Sequence, residues 1–516
     1  MGVVLVRTNF NNKVGLGHLF RMKHLAKKLS KKNEVIFILD KKNTITKKII
    51  DFQCIYLYEG KKNYTSQIQD AKKVQKETIK KKTDLIIVDD YRFNNVWENY
   101  FFNKIKIAVF DDNNEVKHKC NILIDCKWDG PKTEQRYKNL IPKNSVKILG
   151  PQYAIIDKPK KITRSKNNQF NILFYLGGSG DFTKYHNLLK NIAKQFKNIH
   201  NLKFNIILGP LSKGHDRLRY IYKKNKKFNF ISGNLSIKNI LPSINLYLGV
   251  SSSIIYELNF LNIPSILFPT NTNQENSYQS LNDLGFFFFI KQKDLITKSE
   301  KVSKLLVSMS VQIKRIKKIN KTKIKIDGKG PDRIAKFFNK IIENKKIKSN
   351  RVKKFSKKYF EKKDGFYSIK DWHINMYLSA RNIKSNRENS VNKKFIENID
   401  HYLWWFLEKR EVFYYVRNKK VRVFLFHKVI KIKSKLFYYG GWFKDANKVM
   451  ISDIISVVSW QTAKFKKLHW IAIIKKTNHF VFKLNSYLGF KKISFHPFFN
   501  FFFNKINFNK YHLLIK

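Results

Sequence analysis

The sequence predicts an α/β protein: two successive Rossmann-type domains facing a cleft, then a third domain of different pattern. Three observations carry this. Short apolar runs recur through the first third and stop at polar residues, the signature of strands buried on both faces of a parallel sheet. The same alternation of strand and helix restarts after a lysine-rich stretch at 158–168. After Asp364 aromatic residues become dense and the strand pattern changes. The expected domains are 1–157, 168–345 and 365–516 of a 516-residue chain. No internal repeat accompanies the doubled α/β pattern.

The first element is the strand Val3-Val4-Leu5-Val6. The turn Gly15-Leu16-Gly17-His18 follows, and Phe20, Arg21, Leu25 and Ala26 continue it as a helix. A glycine turn entering a helix gathers free backbone N–H groups and the helix dipole at one spot, which favours phosphate. A histidine there moves a proton near neutral pH. Together they point to an enzyme acting on a phosphorylated small molecule; the plainer alternative is a tight turn with a surface histidine. Val35-Ile36-Phe37-Ile38-Leu39 is the next strand. Leu85-Ile86-Ile87-Val88 ends in Asp89-Asp90-Tyr91, and Ile107-Ala108-Val109-Phe110 ends in Asp111-Asp112. Ile122-Leu123-Ile124 ends in Asp125. Ligands of such sheets bind at the carboxyl ends of the strands. Tyr91, Asp111 and Asp112 are therefore expected at the same mouth as His18, with turn capping as the alternative role for at least one aspartate.

In the second domain, Ile172-Leu173-Phe174-Tyr175-Leu176 runs into Gly177-Gly178-Ser179-Gly180-Asp181. Phe204-Asn205-Ile206-Ile207-Leu208 is a further strand. Leu246-Tyr247-Leu248-Gly249-Val250 runs into Ser251-Ser252-Ser253 and a helix carrying Tyr256-Glu257. Ile263 to Pro269 precedes Asn273-Gln274. Gly177, Gly178 and Ser179 let the backbone approach a ligand closely. Ser252 and Ser253, opening a helix, suit a diphosphate, and Glu257 suits the two hydroxyls of a ribose. A helix is expected near Ile334 to Ile342.

Composition narrows the function. The net charge of +67 resembles a nucleic-acid signature, but the basic residues are nearly all lysine and are spread over the whole chain. No nucleic-acid partner is expected; phosphate readers cluster arginine. The cysteines Cys54, Cys120 and Cys126 show no CxxC spacing, which argues for a reducing compartment and against a disulfide framework or a zinc site. No signal peptide is expected. The aromatic stretch Phe495 to Phe503 is interrupted by His496, Pro497 and Asn500, so a packed strand is expected there rather than a membrane span. The expectation is a cytoplasmic protein of unknown oligomeric state, with no metal.

Residues 1–345 resemble the UDP-sugar hydrolase family of pseudaminic acid biosynthesis, relatives of the GT-B glycosyltransferases. The resemblance lies in Gly15-Leu16-Gly17-His18 with Arg21, Asp89-Asp90-Tyr91, Val109-Phe110-Asp111-Asp112 and Cys120-Asn121-Ile122-Leu123. It continues through Leu149-Gly150-Pro151-Gln152-Tyr153-Ala154, Tyr256-Glu257 and Asn273-Gln274. Gly177-Gly178-Ser179-Gly180-Asp181 resembles the family's Gly-Gly-Thr-Asp loop with one residue inserted. The resemblance implies a GT-B-like pair of domains and hydrolysis of UDP-2,4-diacetamido-2,4,6-trideoxy-β-L-altropyranose to UDP and the free sugar, without a cofactor. It implies His18 as the base that activates water. It implies Gly15, Gly17, Arg21, Tyr91, Gly177, Gly178, Ser179, Ser252, Ser253, Glu257, Asn273 and Gln274 as substrate contacts. A glycosyltransferase using the same UDP-sugar cleft is the alternative.

The third domain resembles the GNAT N-acetyltransferases, an α+β fold with acetyl-CoA as cosubstrate. Arg381-Asn382 with Arg387, His401 with Trp404-Trp405-Phe406, the strand Trp470-Ile471-Ala472-Ile473, and Asn478 before a helix closing on Leu488-Gly489-Phe490 carry the resemblance. Ile473 and Asn478 are implied to hold acetyl-CoA. Tyr487 is the expected proton donor, because Asn485 occupies the place of the family's tyrosine. The family's glycine-rich loop is replaced by Lys444-Asp445-Ala446-Asn447-Lys448. A degenerate domain kept for packing is the alternative. In the pathway acetylation of the UDP-4-amino-sugar precedes hydrolysis, so one chain would perform consecutive steps.

Overall fold

The structure is a computed structural model. It describes residues 1–10, 16–58, 60, 63–156, 158, 169–199, 201–232, 237–270, 274, 278–320, 324–345, 349, 360–361, 363–408, 410–432, 434–445, 449–494 and 510–516. Gly15, Asn273, Ala446 to Lys448, nearly all of the 158–168 stretch and Phe495 to Phe503 lie outside them. The chain divides into two compact units, Met1–Phe355 and Ser356–Lys516.

The first unit holds two parallel sheets. One contains β1 (Gly2–Thr8), β2 (Asn33–Leu39), β3 (Gln53–Tyr56), β4 (Leu85–Asp89), β5 (Lys106–Phe110), β6 (Ile122–Asp125) and β7 (Val146–Leu149), in the order β3-β2-β1-β4-β5-β6-β7. The other contains β8 (Phe170–Tyr175), β9 (Leu202–Ile207), β10 (Phe228–Ile231), β11 (Leu246–Val250), β12 (Ser265–Phe268) and β13 (Phe288–Phe289), in the order β10-β9-β8-β11-β12-β13. Every pairing in both is parallel. This is the expected GT-B-like pair of Rossmann-type domains.

The apolar runs form strands because both sheet faces are covered. Val4 and Val6 enter one buried cluster and Leu5 the other, as the two-residue period of a strand dictates. Truncating Leu5 to alanine would cost about 2–5 kcal/mol. Each sheet reverses its strand order once, at β1/β4 and at β8/β11. Those reversals place a crevice outside the carboxyl ends of the four strands. The helix Gly330–Ile342 follows the second sheet in sequence, yet Ile334, Ala335 and Phe338 pack into the core of the first. Asn33 Nδ2 donates to Asn339 Oδ1 at 2.7 Å across that contact.

The second unit is α+β. Its sheet contains β14 (Gly365–Ser368), β15 (Glu411–Arg417), β16 (Lys420–Ile432), β17 (Lys435–Lys444), β18 (Trp470–Lys475), β19 (Lys491–Ile493) and β20 (Tyr511–Ile515). Its order is β14-β15-β16-β17-β18-β20-β19. All pairs are antiparallel except β17 with β18, which meet in parallel only at Tyr438–Trp470 and Tyr439–Ile471. Past those positions the two strands are no longer paired.

Among the described residues no helix is long and apolar enough to cross a membrane. No group of three or more His, Cys, Asp or Glu among them is placed to hold a metal ion. Cys54, Cys120 and Cys126 are free thiols.

Candidate functional site

His18 is the second residue of the helix Gly17–Leu29, which begins at the β1 side of the first strand-order reversal. The helix has no side-chain cap and no acidic residue in its first turn, so its dipole is uncompensated by its own sequence. β4, the neighbouring strand, ends in Asp89. His18 Nδ1 lies 2.6 Å from Asp89 Oδ1. A carboxylate only accepts, so Nδ1 carries the proton and Nε2 is the basic atom of the neutral ring.

Arg21, one turn along the helix, donates from Nε to Asp89 Oδ2 at 2.9 Å and from Nη2 to Asp89 Oδ1 at 2.5 Å. Its Nη1 donates to Asp112 Oδ2 at 2.7 Å, and Tyr91 donates its hydroxyl proton to the same oxygen at 2.7 Å. The Tyr91 ring meets the His18 ring edge-on, with centroids 4.6 Å apart. His18, Asp89, Arg21, Asp112 and Tyr91 thus close a ring of contacts. Burial disfavours charge on His18, Arg21, Asp89 and Tyr91. It opposes protonation of His18, but Asp89 outweighs it and holds the imidazole above its ordinary value. Burial would likewise raise Asp89, but Arg21 and then His18 pull it down to about 2.

This geometry gives Arg21, Tyr91 and Asp111 partners within the protein. Arg21 makes three hydrogen bonds to carboxylates and so braces Asp89, the partner of the histidine. Tyr91 likewise directs its proton to Asp112 and presents its ring to His18. Asp111 does not face the mouth. Its carboxylate is buried and caps the turn after β5, accepting from Asn113 N and Asn114 N. Asp125 is also taken up structurally, by Arg136 Nε at 2.7 Å and the Tyr137 hydroxyl at 3.2 Å. Asp89, the residue that orients His18, stood in the sequence within the Asp89-Asp90-Tyr91 motif but was not singled out as a site residue.

The second sheet brings its two corners to its own reversal. Gly177 follows β8 with φ +90°, a left-handed conformation that glycine adopts without penalty. A Cβ placed on Gly178 would stand 3.7 Å from Leu16, so the two turns face each other closely. Gly17 has open space where a Cβ would go. Ser179 is half-buried, and Asp181 turns away to cap Thr183 N at 3.0 Å. After β11, Ser252 is half-buried and Ser253 exposed at the start of the helix Ile254–Leu261, which has no side-chain cap. Glu257 sits in its first turn, close enough to Tyr175 that burial and then this carboxylate push the phenol up to about 12. The Gln274 carbonyl accepts from Ser251 Oγ at 3.1 Å, and its side chain accepts from Thr270, so Gln274 braces the serine corner. Two contacts join the halves beside the mouth. Tyr256 donates its hydroxyl proton to the Cys126 carbonyl at 2.9 Å, and Trp128 Nε1 donates to Asp283 Oδ2 at 2.8 Å.

No family model matches the chain, and no curated relative was found. Solved structures do resemble it. MurG of Acinetobacter baumannii is 10% identical over 66% of this chain and 100% of its own, with a TM-score of 0.45. The UDP-GlcNAc 2-epimerase of Neisseria meningitidis, bound to UDP-GlcNAc, is 12% identical over 66% of this chain and 100% of its own, with a TM-score of 0.43. A putative UDP-N-acetylglucosamine 2-epimerase of Listeria monocytogenes is 11% identical over 68% of this chain and 99% of its own, with a TM-score of 0.45.

The second unit contains a cavity of about 810 Å³ where β17 and β18 part. Gly440, Gly441, Ile473, Asn478 and Asn485 line it. Asn478 caps the helix His479–Tyr487 by accepting from Val481 N at 3.2 Å. Tyr487 is not brought there: it is 80% exposed at the end of that helix and does not line the cavity. Asn485, which the sequence set aside, does. Arg381 lines the cavity, whereas Asn382 and Arg387 brace the loop beside it through Ile396 and the Asn382 carbonyl. His401 is buried among Tyr377, Trp404 and Trp405, with Nε2 bonded to the Ile374 carbonyl. Burial pushes it down to about 3, so the ring is held neutral.

Proposed function

We propose that the first unit hydrolyses a UDP-linked diacetamido sugar of the pseudaminic acid type, and that the second unit acetylates its 4-amino precursor from acetyl-CoA. The observation that carries the hydrolase reading is the His18–Asp89 contact. It leaves Nε2 as the basic atom at a crevice flanked by the N-termini of two helices that have no side-chain cap. Water attacks the anomeric carbon and gives its proton to Nε2. The C–O bond to the diphosphate breaks, and UDP leaves with the bonding pair. Helix amides at the Ser252–Ser253 corner and the close backbone at Gly177–Gly178 would stabilise that charge. Glu257 would take the ribose hydroxyls.

The parting of β17 from β18 supports the acetyltransferase reading. The divergent edges offer backbone groups to an extended pantetheine arm, and Gly440 and Gly441 present no side chains there. The fit is to the strand edges and Asn478, not to Tyr487. The amine would attack the thioester carbonyl, and the departing thiolate would take up the proton the amine releases.

The test is a panel of UDP-diacetamido sugars, with and without acetyl-CoA, read by mass spectrometry. His18→Ala should lower hydrolysis by about 10²–10⁴ while UDP still binds. A near wild-type rate would remove His18 from the mechanism.

A further inference from the structure

Asp112 anchors both Arg21 and Tyr91, so the turn that carries it governs the His18 site. That turn is held from behind. Asp111 accepts from Asn113 N at 2.9 Å and Asn114 N at 3.1 Å, with Asn114 left-handed at φ 60°. His118 Nε2 lies 3.4 Å from Asp111 Oδ2, and His118 Nδ1 lies 2.7 Å from Glu98 Oε1. The other Glu98 oxygen accepts from Lys119 N. His118, Glu98 and Asp111 are all buried.

We propose that His118 is a positioning residue for the His18 site: its imidazolium draws the Glu98 and Asp111 carboxylates together and so fixes the turn that delivers Asp112 to Arg21 and Tyr91. Two buried carboxylates on one ring need a cation between them, since neither is tolerated unpaired away from water. Burial works against the charged ring, but Asp111 and Glu98 together lift it to about 9. Other titratable groups beside these carboxylates are the Cys120 thiol and the Tyr137 phenol, whose hydroxyl donates to the Asp111 carbonyl at 2.7 Å; burial and nearby carboxylates keep both protonated. No part of the proposed reaction otherwise uses this cluster.

The consequence reaches His18, which feels the charges of Asp89, Arg21 and Asp112 and meets the Tyr91 ring. If the turn relaxes, Asp112 withdraws. Arg21 then pairs with Asp89 alone, weakening the hold of Asp89 on the imidazole, and the direct attraction of Asp112 is lost as well. Both changes lower the value at which His18 titrates.

The test is the imidazole NMR titration of His18 in the full chain, assigned by the resonance lost in His18→Asn. His118→Gln should lower the midpoint by about half a pH unit or more, and Asp111→Asn should do the same. The double variant should shift it no further than Asp111→Asn alone, since His118 acts on the turn through Asp111. An unchanged midpoint in folded His118→Gln, or additive shifts, would overturn the proposal. Should His118→Gln not fold, Asp111→Asn decides alone, because an unchanged midpoint there is equally fatal. The catalytic consequence, a lower kcat at unchanged KM, rests on the hydrolase reading. If the wild type releases no UDP, that reading fails while the titration still decides the role of His118.

Discussion

His18 and Asp89 stand 71 residues apart in sequence and 2.6 Å apart in space, Nδ1 to Oδ1. The carboxylate at the end of β4 selects the tautomer of a histidine that entered the site on a different element. Asparagine in its place presents either an amide N–H or a weaker acceptor to Nδ1. Asp89→Asn is therefore expected to lower hydrolysis on the order of 10²–10⁴ with little change in UDP affinity, since the tautomer with a basic Nε2 loses its support. Steady-state kinetics and calorimetry on the same preparation check both halves.

Asp89 holds His18 above the ordinary imidazole value of 6.5, which gives the pH profile a direction. The base form grows as pH rises through that raised value, so the acid limb of kcat/KM should lie above pH 6.5. Stability follows the opposite sense for this group. The His18 contribution is fully present below 6.5 and is lost as pH rises through the folded value. Asp89, pulled down to about 2 from 3.8, contributes stability above 3.8 that disappears as pH falls toward 2. Rate profiles and melting temperatures from pH 2 to 9 would show a melting temperature that drops at the acid end; an acid limb below pH 6 would contradict the His18–Asp89 assignment.

Glu257 occupies the first turn of the helix after the serine corner, at the end of β11. Glu257→Ala should weaken UDP binding about tenfold or more, corresponding to the loss of roughly 1.5 kcal/mol or more for hydrogen bonds to a charged group. The chemical step at saturating substrate should change little. Ser252→Ala and Ser253→Ala should weaken binding less, because the backbone N–H groups survive. Unaltered calorimetric affinity in Glu257→Ala would return that residue to a packing role.

Gly441 lines the second-unit cavity beyond the last pair between β17 and β18, and a Cβ there would meet only the Phe426 ring, at 3.5 Å. The backbone thus accepts a side chain, but the cavity loses room. Gly441→Leu should abolish acetyl-CoA binding and acetylation while leaving hydrolysis of the acetylated UDP-sugar unchanged. Isothermal calorimetry with acetyl-CoA checks it, and wild-type affinity in this variant would place the cofactor elsewhere.

The strands legible in the sequence were the central ones. β1, β2, β4, β5 and β6 are covered on both faces and read as unbroken apolar runs. β3, β7 and β10 escaped notice because they are sheet edges, partly exposed, and carry polar residues such as Gln53, Lys147 and Asn229. The same logic separates the site residues. His18, Gly177, Gly178 and Glu257 stood out because a turn or a helix start constrains residue type locally. Glu98 and His118 left no comparable signal: Glu98 stands among aromatic residues and His118 between two lysines, and only burial in the folded chain makes them a pair.

By itself the sequence determined that this chain is an α/β protein with two Rossmann-type halves and that His18 opens a helix at a strand end. Those properties follow from apolar periodicity and from glycine and serine chemistry acting over a few residues. Tertiary structure alone decided what surrounds the histidine. Adjacent aspartates, Asp111 and Asp112, look alike in sequence, yet successive residues leaving a strand point to opposite sides. One therefore went to the buried His118 and the other to Arg21 and Tyr91. Arg21, equally suited in sequence to a phosphate, was claimed by two carboxylates from distant strands, because a buried guanidinium is stable only where fixed charges meet it.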